Sequence, residues 1–399
     1  MRRLAIASLA VLFGVGFAVA SPKQRVVKLK MGPFPIEAKR DREVCQAIRV
    51  PDIGGLEIVS AEARSRLSNR ADTGSHHLVV YGYTGADADA FPTEITDDPG
   101  CNGFGPNDFY IRRVFVAGSG GETRRGNWTV TTIAWPGDLT QVVPAVEGTN
   151  DAIIVLNSHY FNEASRKAKG IIKLKLKLRP LTPGKRVLRQ IIDTQASREI
   201  FVPPGGTGSV TSTVQADGAS NPATEGGFNP ASDVCLFNIS THMHKRGTLF
   251  TIDWEQDGGS ERLLTWPDYL HPGTVLRPGP LRGLLKAYTA ENGLPRLRYG
   301  CDFANGTDGV EPKMGCEEEP GIAPGISWAE GESLGLNPLE THATPCGLDG
   351  VNCNGAACVD ANLVFGPLSD DDMCVFTAFA YDPLPGVPDE QACDLQLVD

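Results

Sequence analysis

The chain has 399 residues, 21% of them charged, with 48 acidic against 37 basic side chains and a formal net charge of −11. That sign excludes a protein held to nucleic acid or to anionic lipid by its overall charge. Abundant glycine and proline (45 and 29) and ten cysteines point instead to a turn-rich, disulfide-bearing fold, and the length suits about two domains of ordinary size.

The chain opens on "MRRLAIASLAVLFGVGFAVASPK". Two arginines, an apolar run and A-V-A before Ser21 read as a signal peptide over residues 1–20, so the mature protein is expected to be exported, either secreted or periplasmic. The apolar run is short for a membrane span, and no later stretch is apolar enough for one. All ten cysteines follow the leader, and an even number in an exported chain reads as disulfides. A thiolate zinc site is the competing reading, but no C-x-x-C occurs.

"LEIVSAEA", "HHLVVYGY", "FYIRRVFVAG", "WTVTTIAW" and "AIIVLNSHYFN" follow as strands, by alternation or by β-branched content. "GIIKLKLKLRP" alternates strictly, apolar on one face and basic on the other. "RVLRQIIDTQASRE" carries some helical periodicity and marks the junction between a domain over 21–185 and a second over 186–399. That second domain restarts at "REIFVPPGGTGSV". It continues through the strand pair "VCLFNISTHMHKRGTLFTIDWEQ" and the strands "LRYGCDFANGT" and "DMCVFTAFAYDP". A Gly-, Pro- and acid-rich insertion near 305–362 carries Cys316, Cys346, Cys353 and Cys358 and is expected to hold its own two disulfides. The architecture expected is all-β, two β-sandwiches in tandem. Sequons at Asn127, Asn238 and Asn305 matter only in a host that glycosylates.

The histidines carry the chemistry. His242 and His244 are spaced H-x-H in a β-branched run, so in a strand both imidazoles leave on one face. Two charged rings there repel, two neutral ones each need a partner, and a metal ion resolves both. His76 and His77 are adjacent where "TGS" turns into a strand, and two adjacent ligands need a bulge or a strand end. His159, near the end of "AIIVLNSHYFN", would complete a three-imidazole site from a facing strand. The bland alternative makes His76 and His77 a strand start and His159 a satisfied core residue. Met373 stands where the acidic "SDDD" enters an apolar strand, and its thioether suits Cu(I) far better than zinc, calcium or magnesium. His271 and His342 read as loop histidines. "CEEEP" and "SDDDMC" lack the oxygen spacing of an EF-hand and read as solvated acid.

"SHHLVVYGY", "NSHYFN", "THMHKRG" and "DDDMC", in this order and spacing, resemble the copper type II, ascorbate-dependent monooxygenases, the family of peptidylglycine α-hydroxylating monooxygenase and dopamine β-monooxygenase. The resemblance covers most of the mature chain and implies two tandem jelly-roll-like β-sandwiches. It implies two coppers per chain, an electron-transfer copper on His76, His77 and His159 and an oxygen-binding copper on His242, His244 and Met373. It also implies the disulfides Cys301–Cys374 and Cys235–Cys393, which leaves Cys45–Cys101 as the pair of the first domain. The implied reaction hydroxylates a substrate C–H bond with O₂ and ascorbate or another one-electron donor. Groups that orient the imidazoles are expected beside them, and Asn157, Ser240 and Thr241 are candidates by proximity alone. Peptide-amidating relatives hold the substrate with an arginine two residues before H-x-H and with an asparagine and a tyrosine after the methionine. Ser240, Val375 and Thr377 stand at those positions, so the expected substrate is a small or extended organic molecule other than a peptidylglycine. The rival readings are a non-catalytic exported copper-binding protein, a disulfide-stapled sandwich that binds a partner or glycan, and a zinc hydrolase, for which no H-E-x-x-H is present.

Overall fold

The computed structural model describes residues 24–397, apart from 215–232, 287–295, 317–357, 365–371 and shorter stretches such as 69–74 and 270–272. The expected leader, His271, His342, Cys346 and Cys353 therefore lie outside the described residues. The fold is all-β and consists of two β-sandwiches.

The first sandwich is built from β1 (Arg25–Ile36), β2 (Arg40–Val50), β3 (Glu57–Leu67), β4 (Ser75–Tyr83), β5 (Arg113–Ser119), β6 (Trp128–Ile133), β7 (Ala152–Asn162) and β8 (Ala168–Arg179). One sheet has the order β1-β8-β3-β6, the other β2-β7-β4-β5, and short edge strands extend each. From β1 to β4 and from β5 to β8 successive strands alternate between the sheets, so nearly every connection crosses the sandwich, as in a jelly roll. The alternation of β8 shows why: Ile172, Leu174, Leu176 and Leu178 are buried while Lys173 and Lys177 face solvent. These apolar side chains meet Val44, Leu78, Val80, Ile154 and Leu156 of the opposite sheet in one core.

The second sandwich comprises β9 (Arg189–Asp193), β10 (Gly206–Val214), β11 (Val234–Met243), β12 (Gly247–Gln256), β13 (Gly259–Trp266), β14 (Arg296–Asn305) and β15 (Cys374–Tyr381). Its sheets run β9-β15-β11, with Thr274–Leu276 at the edge, and β10-β14-β12-β13. Leu236, Ile239, Phe376 and Ala378 pack against Phe250, Ile252, Tyr299 and Phe303. The helical periodicity at 186–199 does not become an α-helix. Residues 189–193 pair with β15 instead, and only a 3₁₀ turn forms, over Gln195–Glu199. The open edge of β15 outweighs a weak local preference there.

A small apolar cluster joins the sandwiches, with Trp135 against Phe237 and Phe379 at 5.6 and 5.0 Å between ring centroids. Beside it Arg186 donates to Asp138 at 2.7 Å, both nearly buried. Disulfides join Cys45 to Cys101, Cys235 to Cys393 and Cys301 to Cys374. Of the expected insertion, Lys313–Cys316 pairs with Cys358–Ala361, placing Cys316 opposite Cys358 in register. No helix among the described residues is long and apolar enough to cross a membrane.

Candidate metal centre

Residues directly opposite on neighbouring antiparallel strands share a face. Three adjacent strands of the first sandwich place Glu43 (β2), His159 (β7) and His77 (β4) in one row, since His159 is in register with Glu43 on one side and His77 on the other. The row lies on the outer face of its sheet, because the alternate positions Val44, Ser158 and Leu78 point the other way and Val44 and Leu78 enter the core. One ligand atom from each of Glu43, His77 and His159 lies within 4.8 Å of the other two. The His77 Nε2 is 3.4 Å from Glu43 Oε1, and the two imidazole centroids are 5.4 Å apart. Asn157 Nδ2 donates to the same Glu43 oxygen at 2.7 Å. Burial alone would raise the Glu43 carboxyl. The hydrogen bond with His77, the charges of His159 and His77 and the Asn157 donor outweigh it and lower the pKa to about 2. A fully ionised carboxylate therefore lies beside two imidazoles.

His76 stands at a β-bulge. The β4–β7 ladder pairs His77 with His159 and then Ser75 with Tyr160, so one residue of β4 has no opposite number, and it is His76. A bulge breaks the strict alternation of faces, which is what adjacent ligands require. The His76 side chain lies outside the described residues.

His242 and Met243 end β11, opposite Val375 and Cys374 of β15, and His244 follows in the turn. The imidazoles of His242 and His244 are 5.2 Å apart, and His242 is 6.3 Å from His77 of the other sandwich. The rings of His159, His77, His242 and His244 thus form a continuous row across the junction. Desolvation, then the neighbouring imidazoles of His244, His77 and His159, push the His242 pKa well below its ordinary value, against an opposing pull from Glu43. A neutral His242 keeps a lone pair for a metal.

Asp372 organises the other end of the row. Its Oδ1 accepts the backbone N–H of His244 at 2.9 Å and of Met373 at 2.8 Å, and its Oδ2 accepts that of Arg246 at 2.9 Å. One buried carboxylate therefore fixes the backbone of His244 relative to that of Met373. Burial raises its pKa to about 7, partly opposed by these three N–H donors and by the Arg246 charge. Ser240 and Thr241 hold the neighbouring chain: Ser240 Oγ donates to the Gly273 carbonyl at 2.8 Å, and the Gly273 N–H donates to Thr241 Oγ1 at 2.9 Å.

The donor set of two imidazoles and an ionised carboxylate suits a divalent transition ion, copper among them, zinc and iron equally. Sequence reading missed Glu43 and took Asp372, in "SDDDMC", for solvated acid, whereas it is fully buried. A signal for Glu43 existed: it lies two residues before Cys45, hence on the same strand face as a buried disulfide, where a charged side chain needs a partner.

No protein-family model and no curated protein matches the chain. Among solved structures it has a likeness to the major capsid protein P2 of bacteriophage PM2, at 9% identity and a TM-score of 0.30, covering 91% of this chain and 99% of that one. At that level nothing is carried over from the capsid protein, and the donor row has to speak for itself.

Proposed function

We propose that this chain is an exported copper-dependent monooxygenase that hydroxylates a substrate C–H bond with O₂ and electrons from ascorbate or another one-electron donor. The observation that carries this reading is the row of four imidazoles, drawn from three separate motifs and both sandwiches, with centroid steps of 5.4, 6.3 and 5.2 Å. Random surface or core histidines have no reason to converge this way, because like cations repel and buried neutral rings need partners.

In this reading His76, His77 and His159 hold one copper and His242, His244 and Met373 a second. Bound there, copper would supply one-electron transfer and oxygen chemistry. The protein's part is ligation and orientation. Asn157 fixes Glu43, and Glu43 engages Nε2 of His77 and so sets its ring. Asp372 holds the Met373 and His244 backbones together. Ser240 takes part in an edge contact with Gly273 rather than presenting a cation to a carboxylate, in keeping with a substrate other than a peptidylglycine.

Glu43 favours a second reading. A permanently ionised carboxylate beside two imidazoles stabilises a divalent ion against reduction, which suits a non-catalytic exported copper-binding protein. Copper titration of the apo-protein, followed by oxygen uptake with ascorbate over a substrate panel, separates the two. The monooxygenase reading expects two coppers per chain, capacity for one in His242→Ala, and weakened Cu(I) retention with normal Cu(II) capacity in Met373→Ala. Two coppers without oxygen uptake would leave the binding protein, and a preference for zinc would sink both.

A further inference from the structure

The sandwich face opposite the histidines carries a feature that the metal reading leaves unused. On the outer face of β1-β8-β3, cross-strand register aligns Lys30 with Lys173 and Arg64, and Lys28 with Lys175 and Glu62, while Lys177 stands opposite Ser60. Lys28, Lys30, Lys173 and Lys177 are exposed, and Lys175 is half-exposed. Like charges directly opposite destabilise a sheet, and here two successive rows place lysine against lysine. None of Lys28, Lys30, Lys175 and Lys177 is in an ion pair with a carboxylate among the described residues. Lys173 and Arg66 instead lie over the Trp128 ring, at 5.0 and 4.6 Å from its centroid. In a chain of net charge −11, this is a concentrated patch of the opposite sign, and the fold bears its self-repulsion.

We propose that this face binds a linear acidic polysaccharide, sulfated or carboxylated, laid over the strands. Charge complementarity is the first argument: same-face lysines recur every ~6.7 Å along a strand and about 4.8 Å between strands, a flat lattice of point charges rather than a pocket. The second argument is what the face lacks. Among the described residues Val26 is its one exposed large apolar side chain, too little to seat a protein in a bilayer. Its arginines are engaged, Arg64 with Glu62 at 2.9 Å and Arg66 over Trp128, which leaves lysine point charges rather than the bidentate forks that suit phosphate. This inference does not depend on the copper reading, because the histidine row lies on the outer face of the other sheet.

The test uses the mature chain and heparin as probe, with phosphatidylglycerol vesicles and a single-stranded oligonucleotide as comparisons. In Lys28→Glu/Lys173→Glu every lysine of the two rows gains an opposite charge across the strand, so its melting temperature should be equal to or above that of the parent. A second variant, Arg262→Glu/Arg298→Glu, makes the same change of charge on the other sandwich. The expected result is heparin binding that weakens steeply between about 50 and 200 mM salt, falls at least tenfold in the lysine variant, and persists in the arginine variant. No binding at the lower salt, or equal loss in both variants, would overturn the proposal. So would tighter binding to the vesicles or to the oligonucleotide than to heparin.

Discussion

Glu57, the first residue of β3, accepts hydrogen bonds from Arg179 Nη2 at 3.0 Å and from Thr182 N and Oγ1 at 3.0 and 2.7 Å. Burial pushes its carboxyl up, but these donors and the Arg179 charge outweigh it and lower the pKa to about 2. The unfolded chain therefore takes up this proton first as pH falls. The stabilisation is complete above the ordinary carboxyl value and drains away between about pH 4.5 and 2. Urea unfolding at about pH 5 and pH 3 should show about 1–2 kcal/mol of this loss in the parent, and less pH dependence in Glu57→Gln. At this scale His76, His77, His159, His242, His244 and Met373 are conspicuous in the sequence by type and spacing, and the structure brings the rings of His77, His159, His242 and His244 together. Partners that meet only through folding, such as Glu43 with His77 or Glu57 with Thr182, leave no local trace.

Strands whose alternation separates apolar from polar cleanly were legible as elements, and β8 is the plainest. The bulge at His76 was foreseeable from the need of two adjacent ligands, though not from propensity. The segment 189–199 misled because an amphipathic stretch at a junction takes whatever edge is open, and here that edge is β15. Asp372 is the element-scale clamp: it ties the turn after β11 to the entry of β15. Asp372→Asn keeps the shape but replaces one accepting oxygen by a donor, so one N–H loses its partner. A loss of about 1–3 kcal/mol in stability is expected. Under the proposed copper function, weaker Cu(I) retention is also expected, with the site of His76, His77 and His159 left loaded, as copper titration by absorbance or EPR would show. Unchanged retention would mean that Asp372 serves the turn alone.

For the whole molecule, the ion pair of Asp138 and Arg186 sits at the joint between the sandwiches. Arg186 also donates to the Asp394 carbonyl at 2.6 Å, and the Gln396 N–H reaches Asp138 Oδ1 at 2.9 Å, so the chain's end is stitched to its middle. Asp138→Ala strands a nearly buried guanidinium and should cost about 3–5 kcal/mol. Trp135→Ala empties the space between Phe237 and Phe379 and should split one calorimetric transition into two, while an unsplit transition would show that the stitched terminus alone couples the halves. Two all-β domains were readable from strand spacing and glycine content. That their faces would meet at the histidines was not, because contact between domains depends on shape.

Cys374 immediately follows Met373 and is bonded to Cys301 in the opposite sheet of the same sandwich. Until that bond closes, the entry of β15 is held within its own sheet by the ladders to β9 and β11 and by Ser197, with no covalent tie to the facing sheet. A chain kept reduced would thus leave the backbone at Met373 less firmly placed, and oxidation would fix it. Maturation then acquires an order, with strand pairing first and the covalent tie between the sheets second, so that this end of the sandwich is completed only where thiols are oxidised.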